Sequence, residues 1–220
     1  MIAPSNTHRN VRLLAWLNFW SGFRLYAPIA ILYFSQVAGS YAAGMSVYSV
    51  GMLAQSLFEV PTGVISDRVG RRQTVIYGAI ADICSLVGYA LGGSVPGGSY
   101  LILLIGAVFE GLARAFYSGN NDALLYDSLV EHRLTESQRH STENEQMSAP
   151  VSDEDAETRG AYQEFLGKTA SAVQIALGIS SIIGSLIAAL SFSLAMWLSV
   201  IPMVLAFLMS LRFSEPRISS

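Results

Sequence analysis

"FEVPTGVISDRVGRRQT", residues Phe58–Thr74, is the stretch on which the reading of this chain turns. Asp67, Arg68, Arg71 and Arg72 crowd into six positions, and apolar runs long enough to cross a membrane stand on both sides of them. Elsewhere charge is scarce. Apolar residues make up 52% of the 220 and charged residues 13%, where a soluble domain carries roughly 25% charged residues. Mean hydropathy is positive. The composition excludes an ordinary soluble domain and points to an all-α polytopic membrane protein.

A helix needs about 20 mostly apolar residues to cross a hydrocarbon core roughly 30 Å thick. Six segments meet that length, at about 11–36, 41–66, 73–92, 99–128, 164–190 and 193–213. The last two form a nearly continuous apolar stretch from Ala170 to Leu211. As one helix it would be about 63 Å long, so two crossings are expected, with "SFS" at 191–193 as the turn. Pro28, Pro61 and Pro202 fall inside spans and predict kinks. The first apolar run is too long for a signal-peptide core and is interrupted by Arg24, so it reads as a retained span.

The connections alternate in character. Those at 37–40, 93–98 and 191–193 are short and free of Lys and Arg, while eleven of the thirteen basic residues fall on the other side. The remaining two, Arg24 and Arg114, lie within spans. Basic residues collect on the cytoplasmic side, so both termini and the Asp67–Arg72 turn are expected there, in the plasma (inner) membrane of a bacterial-type cell. Residues 131–160 hold eight acidic and three basic residues and show no apolar period. They read as a disordered cytoplasmic insertion.

Several chemistries are excluded. The single cysteine, Cys84, forms no intrachain disulfide, and His8, His132 and His140 all lie outside the apolar runs. No metal site, catalytic residue or cofactor is therefore expected at membrane depth, and an enzyme is not. "LGKTA" at 166–170 imitates the end of a phosphate-binding loop but has Tyr162 where that loop needs glycine. Nucleic acid is not an expected partner.

Charge at mid-bilayer costs about 2.5–3.5 kcal/mol on insertion scales, so such residues face a bundle interior and mark pathways. In the fourth span Glu110, Arg114, Ser118 and Asp122 recur every four residues, beside a ladder of Gly111, Ala115, Gly119 and Ala123 that allows close helix contact. In the second, Gln55 and Glu59 lead into Thr62 and Ser66. Arg24 needs an acidic partner, for which Glu59 and Glu110 are the candidates, and Asp82 lies within the third span. One of Glu59, Asp82, Glu110 or Asp122 is expected to exchange a proton. The plain structural alternative is that each acid belongs to a fixed ion pair.

Gly63-x-x-x-Asp67-Arg68-x-Gly70-Arg71-Arg72 resembles the signature of the major facilitator superfamily, in its usual place between spans two and three. "FEVPTG" before it and "SGNNDALLYDSL" at 118–129 resemble a bacterial branch of that family. The resemblance covers the chain as the first six spans of a twelve-span fold. It implies a secondary transporter of a small organic solute working by alternating access. The aromatic residues of the first span, Trp16, Phe19, Trp20, Phe23 and Tyr26, suit an amphipathic solute and equally lipid contact, so efflux of drugs or metabolites is mildly preferred to uptake. By position, Gly63 would be a close-approach residue, Asp67 the charge that holds the gate, and Arg68, Arg71 and Arg72 partners of the turn, while Gly70 lets the chain reverse. The resemblance also implies a second six-helix half, either missing from this chain or supplied by another copy. From a different class, a non-transporting six-span scaffold or receptor would use its acidic loop to bind partners.

Overall fold

The computed structural model describes residues 5–118 and 151–212, and the regular structure among them is entirely helical. In chain order it comprises α1 (Ser5–Gly22), a single 3-10 turn (Ala27–Ile29), α2 (Ala30–Ala38), α3 (Tyr41–Val69), α4 (Arg71–Ser94), α5 (Tyr100–Tyr117), α6 (Val151–Ala188) and α7 (Phe192–Ser210). Among the described residues four helical stretches are long and apolar enough to cross a membrane: Arg71–Ser94, Tyr100–Tyr117, Leu166–Ala188 and Phe192–Ser210. The other two expected spans differ for separate reasons. At 29 residues α3 has the length, but it carries Gln55, Glu59, Asp67 and Arg68. The first span is broken.

Backbone chemistry explains the break. Pro28 has no N–H, so the Arg24 carbonyl cannot receive its normal helical bond. It accepts the Ala27 N–H instead, at 3.2 Å, while the Arg24 N–H turns back to the Gly22 carbonyl at 2.9 Å. Two contacts with α6 hold the opened segment. A side chain at Gly22 would press on Val173, at 3.1 Å, and one at Gly184 would collide with the Leu25 carbonyl.

Serine starts the helices that follow the three short connections. Ser40, Ser99 and Ser191 accept hydrogen bonds from the N–H groups of Ala43, Ile102 and Leu194, which satisfies donors that a helix start leaves open. The fifth span departs from expectation at its beginning. Residues 151–160, read from sequence as part of a disordered insertion, form the first turns of α6. The remainder of that insertion, 131–150, lies outside the described residues, as do Asp122, Asn121, Gly119 and Ala123.

Within the bundle α4 packs between α5 and α7, α3 lies against α2 and α5, and α1 lies against α6 and α7. Small residues set the closest approaches. A Cβ on Gly106 of α5 would sit 2.9 Å from the Tyr89 ring, and one on Gly111 would collide with the Gly51 carbonyl of α3. The core contains Tyr33, Phe34, Tyr89, Leu103, Met196 and Met203, and the Phe34 and Tyr89 rings are 4.7 Å apart. The outside is as apolar as the inside: Leu57, Val60 and Leu190 are 74%, 76% and 82% exposed. A soluble surface does not carry apolar patches on that scale. The chain is a multi-pass helical membrane protein.

Candidate functional site

The break in the first span places Arg24 against two buried acids. Its Nη1 donates to Glu110 Oε1 at 2.9 Å, and its Nη2 lies 3.6 Å from Asp82 Oδ2. Arg114, one turn beyond Glu110 on α5, donates to the same Glu110 oxygen at 2.5 Å. Glu110 and Asp82 are 6% and 2% exposed. Two guanidinium groups and two carboxylates thus balance inside an apolar bundle, which is how charge is tolerated in low dielectric.

Two phenols complete the arrangement. Tyr89 donates to Glu110 Oε2 at 2.6 Å, and Tyr26 lies 3.2 Å from Oε1 while accepting from Arg24 at 3.0 Å. Glu110 is therefore the hub, with four donors converging on its two oxygens. Asp82 is the opposite case. Its Oδ2 is buried, forms no hydrogen bond and has only the longer approach of Arg24.

The pathway residues expected from sequence separate into two groups. Arg24, Asp82, Glu110 and Arg114 come together. Gln55 and Glu59 do not join them. Of the two acids expected as candidates for Arg24, the structure pairs it with Glu110, and the second acid beside it is Asp82, not Glu59. Glu59 is exposed on α3 and accepts a hydrogen bond from Ser118 at 3.0 Å. Thr62 and Ser66, further along α3, turn inward instead, and Thr62 donates to the Ala115 carbonyl at 3.2 Å. Sequence reading missed Tyr26 and Tyr89 as partners of Glu110. It also missed the cleft of about 270 Å³ between α1, α5 and α6, which reaches Arg24 past Asn18, Ser21, Tyr117, Val173 and Leu177. A larger cavity of about 380 Å³, at the end of the bundle where Gln36, Gly97 and Ser193 lie, is lined without any charged group.

The Gly63–Arg72 turn lies at the other end. Gly70 closes α3 and opens α4 with φ 92° and ψ 159°, a conformation open in practice only to glycine. Gly70→Ala is expected to cost about 1–2 kcal/mol, measured as a lower thermal unfolding midpoint. Asp67 is largely exposed, with Arg71 4.0 Å away. Arg71 also donates to Ser66 Oγ at 3.3 Å. Arg72 reaches the last helix and donates to the Leu211 carbonyl at 3.2 Å, so the turn and the end of α7 are tied together. Arg68 is exposed, and nothing in the described chain approaches the site a Gly63 side chain would occupy.

No known family profile matches the chain. Over 112 residues, half of the chain, it is 28% identical to the protein named "Probable nitrate/nitrite transporter NarK2" in two strains of Mycobacterium tuberculosis, CDC 1551 / Oshkosh and ATCC 25618 / H37Rv. The match spans 28% of the length of each of these relatives. The part of them that it resembles belongs to a transporter.

Proposed function

We propose that the chain is the N-terminal six-helix half of a secondary transporter of the major facilitator kind, moving a small solute by alternating access with coupled protons. One observation carries this reading: a charge-balanced cluster of Arg24, Asp82, Glu110 and Arg114 at a helix break, reached by a cleft from outside the bundle. Discontinuous helices and ionisable groups at mid-depth accompany transport sites. A fixed structural pair needs neither a cleft nor a carboxylate oxygen left without a hydrogen bond.

In this reading the Asp67–Arg72 turn and both termini are cytoplasmic, the membrane is the inner one, and the second half docks where Gly63 and Asp67 lie open. The first span's aromatic run favours efflux of drug-like or metabolite solutes: Trp16, Phe19, Trp20 and Phe23 form a chain of ring contacts with centroids 5.4–6.0 Å apart. The nitrate/nitrite transporters that the chain resembles place nitrate and nitrite beside these as solutes to be tried.

A scaffold without transport is the second reading, and the mutual pairing of Arg24, Glu110 and Arg114 favours it. Single cysteines in a Cys84→Ser background separate the two. With a membrane-impermeant thiol reagent, positions 18, 114 and 118 are expected to label and the buried positions 103 and 107 to resist. Absence of labelling at all five positions would leave the scaffold reading standing.

A further inference from the structure

We infer that Ser21, Tyr117 and Asp82 hold one internal water molecule between the cleft and the charge cluster, so that the cleft meets the acids through a neutral, hydrogen-bonded bridge. The inference rests on side chains of α1, α4 and α5 alone and stands under either reading of the chain's function.

Three oxygens carry it. Ser21 Oγ, Tyr117 OH and Asp82 Oδ2 are each shut off from solvent, and none forms a hydrogen bond with the described chain. A buried polar atom in that condition is costly, and native proteins pair almost all of them, with protein or with ordered water. The three are neighbours. Tyr117 lies within electrostatic reach of Asp82 and Arg24, and its hydroxyl faces that of Ser21 with no direct bond between them. The Tyr117 ring lies over Gly78, one turn before Asp82 on α4, where a Cβ would come 3.0 Å from Tyr117 Cε1. Ser21 is held beside Arg24, whose Nε donates to its carbonyl at 3.1 Å. Arg24 cannot serve Asp82 Oδ2 in place of a water. Its Nη2 stands 3.6 Å away, and its Nη1 is taken by Tyr26 and Glu110.

Charge and hydrogen-bonding capacity select the ligand. Arg24, Arg114, Asp82 and Glu110 sum to zero, so an ion added here would leave a net charge in a low-dielectric interior. A metal cation would also meet the Arg24 guanidinium beside the same carboxylate oxygen, and an anion would meet Asp82 itself. The ligand must be neutral, small, and able both to donate and to accept. An ionised Asp82 only accepts, whereas each hydroxyl can do either. One water that donates to Asp82 Oδ2 and to Ser21 Oγ, and accepts from Tyr117 OH, makes three bonds, about the usual number for a buried water. It would join the last turn of α1, the middle of α4 and the end of α5 at the place where the first span opens.

The test uses the purified full chain in detergent and reads the sign of a stability change. With the water bound, Tyr117→Phe and Ser21→Ala each delete one of its bonds, and each is expected to lower the thermal unfolding midpoint by about 2–6 °C. The double variant should lose clearly less than the sum, because both hydroxyls act through one molecule. Were the three oxygens simply unpartnered, either deletion would remove a buried polar group without loss and leave the midpoint unchanged or higher. That result, or strictly additive losses, would overturn the inference. Exchanging sodium for potassium or choline at equal ionic strength should not move the midpoint; a dependence on the cation would assign the site to a metal ion and overturn the water. A crystal structure fine enough to show ordered water gives the direct answer. Density for a single atom within about 3.2 Å of all three oxygens is expected in the parent chain, and its absence there would overturn the inference whatever the variants do.

Discussion

Glu110→Gln is expected to lower stability by about 3–5 kcal/mol, the cost of removing one member of a buried, hydrogen-bonded charge set. The variant keeps the volume and a polar head but removes the charge on which Arg24, Arg114, Tyr26 and Tyr89 converge. Both arginines would then share the single charge of Asp82, which lies 3.6 Å from one of them. Thermal unfolding in detergent, followed by the loss of monodisperse protein, measures the effect. Arg114→Gln added to Glu110→Gln should recover part of the loss, because it removes the unpaired cation as well. A Glu110→Gln protein as stable as the parent would mean that the cluster is hydrated and not held together as a buried set.

Gly111→Val is expected to cost about 3 kcal/mol or more, at or above the top of the usual range for overpacking. A Cβ at residue 111 would collide with the Gly51 carbonyl and lie 2.6 Å from Ala54 Cβ and 2.7 Å from the Gln55 backbone nitrogen. Most of these are backbone atoms or atoms close to the backbone, which cannot swing aside, so α3 and α5 must separate. The same separation would disturb the Thr62 bond to the Ala115 carbonyl, one turn on, and the cluster at the adjacent Glu110. A lower unfolding midpoint together with a changed labelling pattern at position 114 is the expected result. Gly178→Val should do far less, since nothing lies within 4 Å of a Cβ built there.

What sequence could and could not foresee follows from the range of each interaction. The Arg114–Glu110 pair was legible because both residues lie on one helix, four apart, and helical geometry alone brings them together. The Gly70 reversal was legible because a glycine between two helices has few other uses. The choice of Asp82 over Glu59 as partner for Arg24 was not, since it depends on how α4 rotates against the first span. Spacing along one chain carries no such information. Pro28, which removes the hydrogen bond due to the Arg24 carbonyl, was legible as a kink. That the helix opens there into a turn and a 3-10 segment was not, because it depends on how α6 packs against Gly22 and Leu25. Residues 151–160 failed differently. Their polarity was taken as a sign of disorder, whereas a helix projecting beyond the apolar layer needs no apolar face and can be polar all round. Four residues apart on the same helix, Glu164 and Lys168 pair at 2.6 Å, an arrangement suited to a solvated turn.

The neutral make-up of the Arg24 cluster bears on how the membrane voltage acts on the protein. Carrying one elementary charge through a full potential of 100 mV involves about 2.3 kcal/mol. A bundle whose central charges sum to zero can tilt in that field without net electrical work from those groups. Any voltage sensitivity of the tilting would then have to come from its cargo or from charges elsewhere.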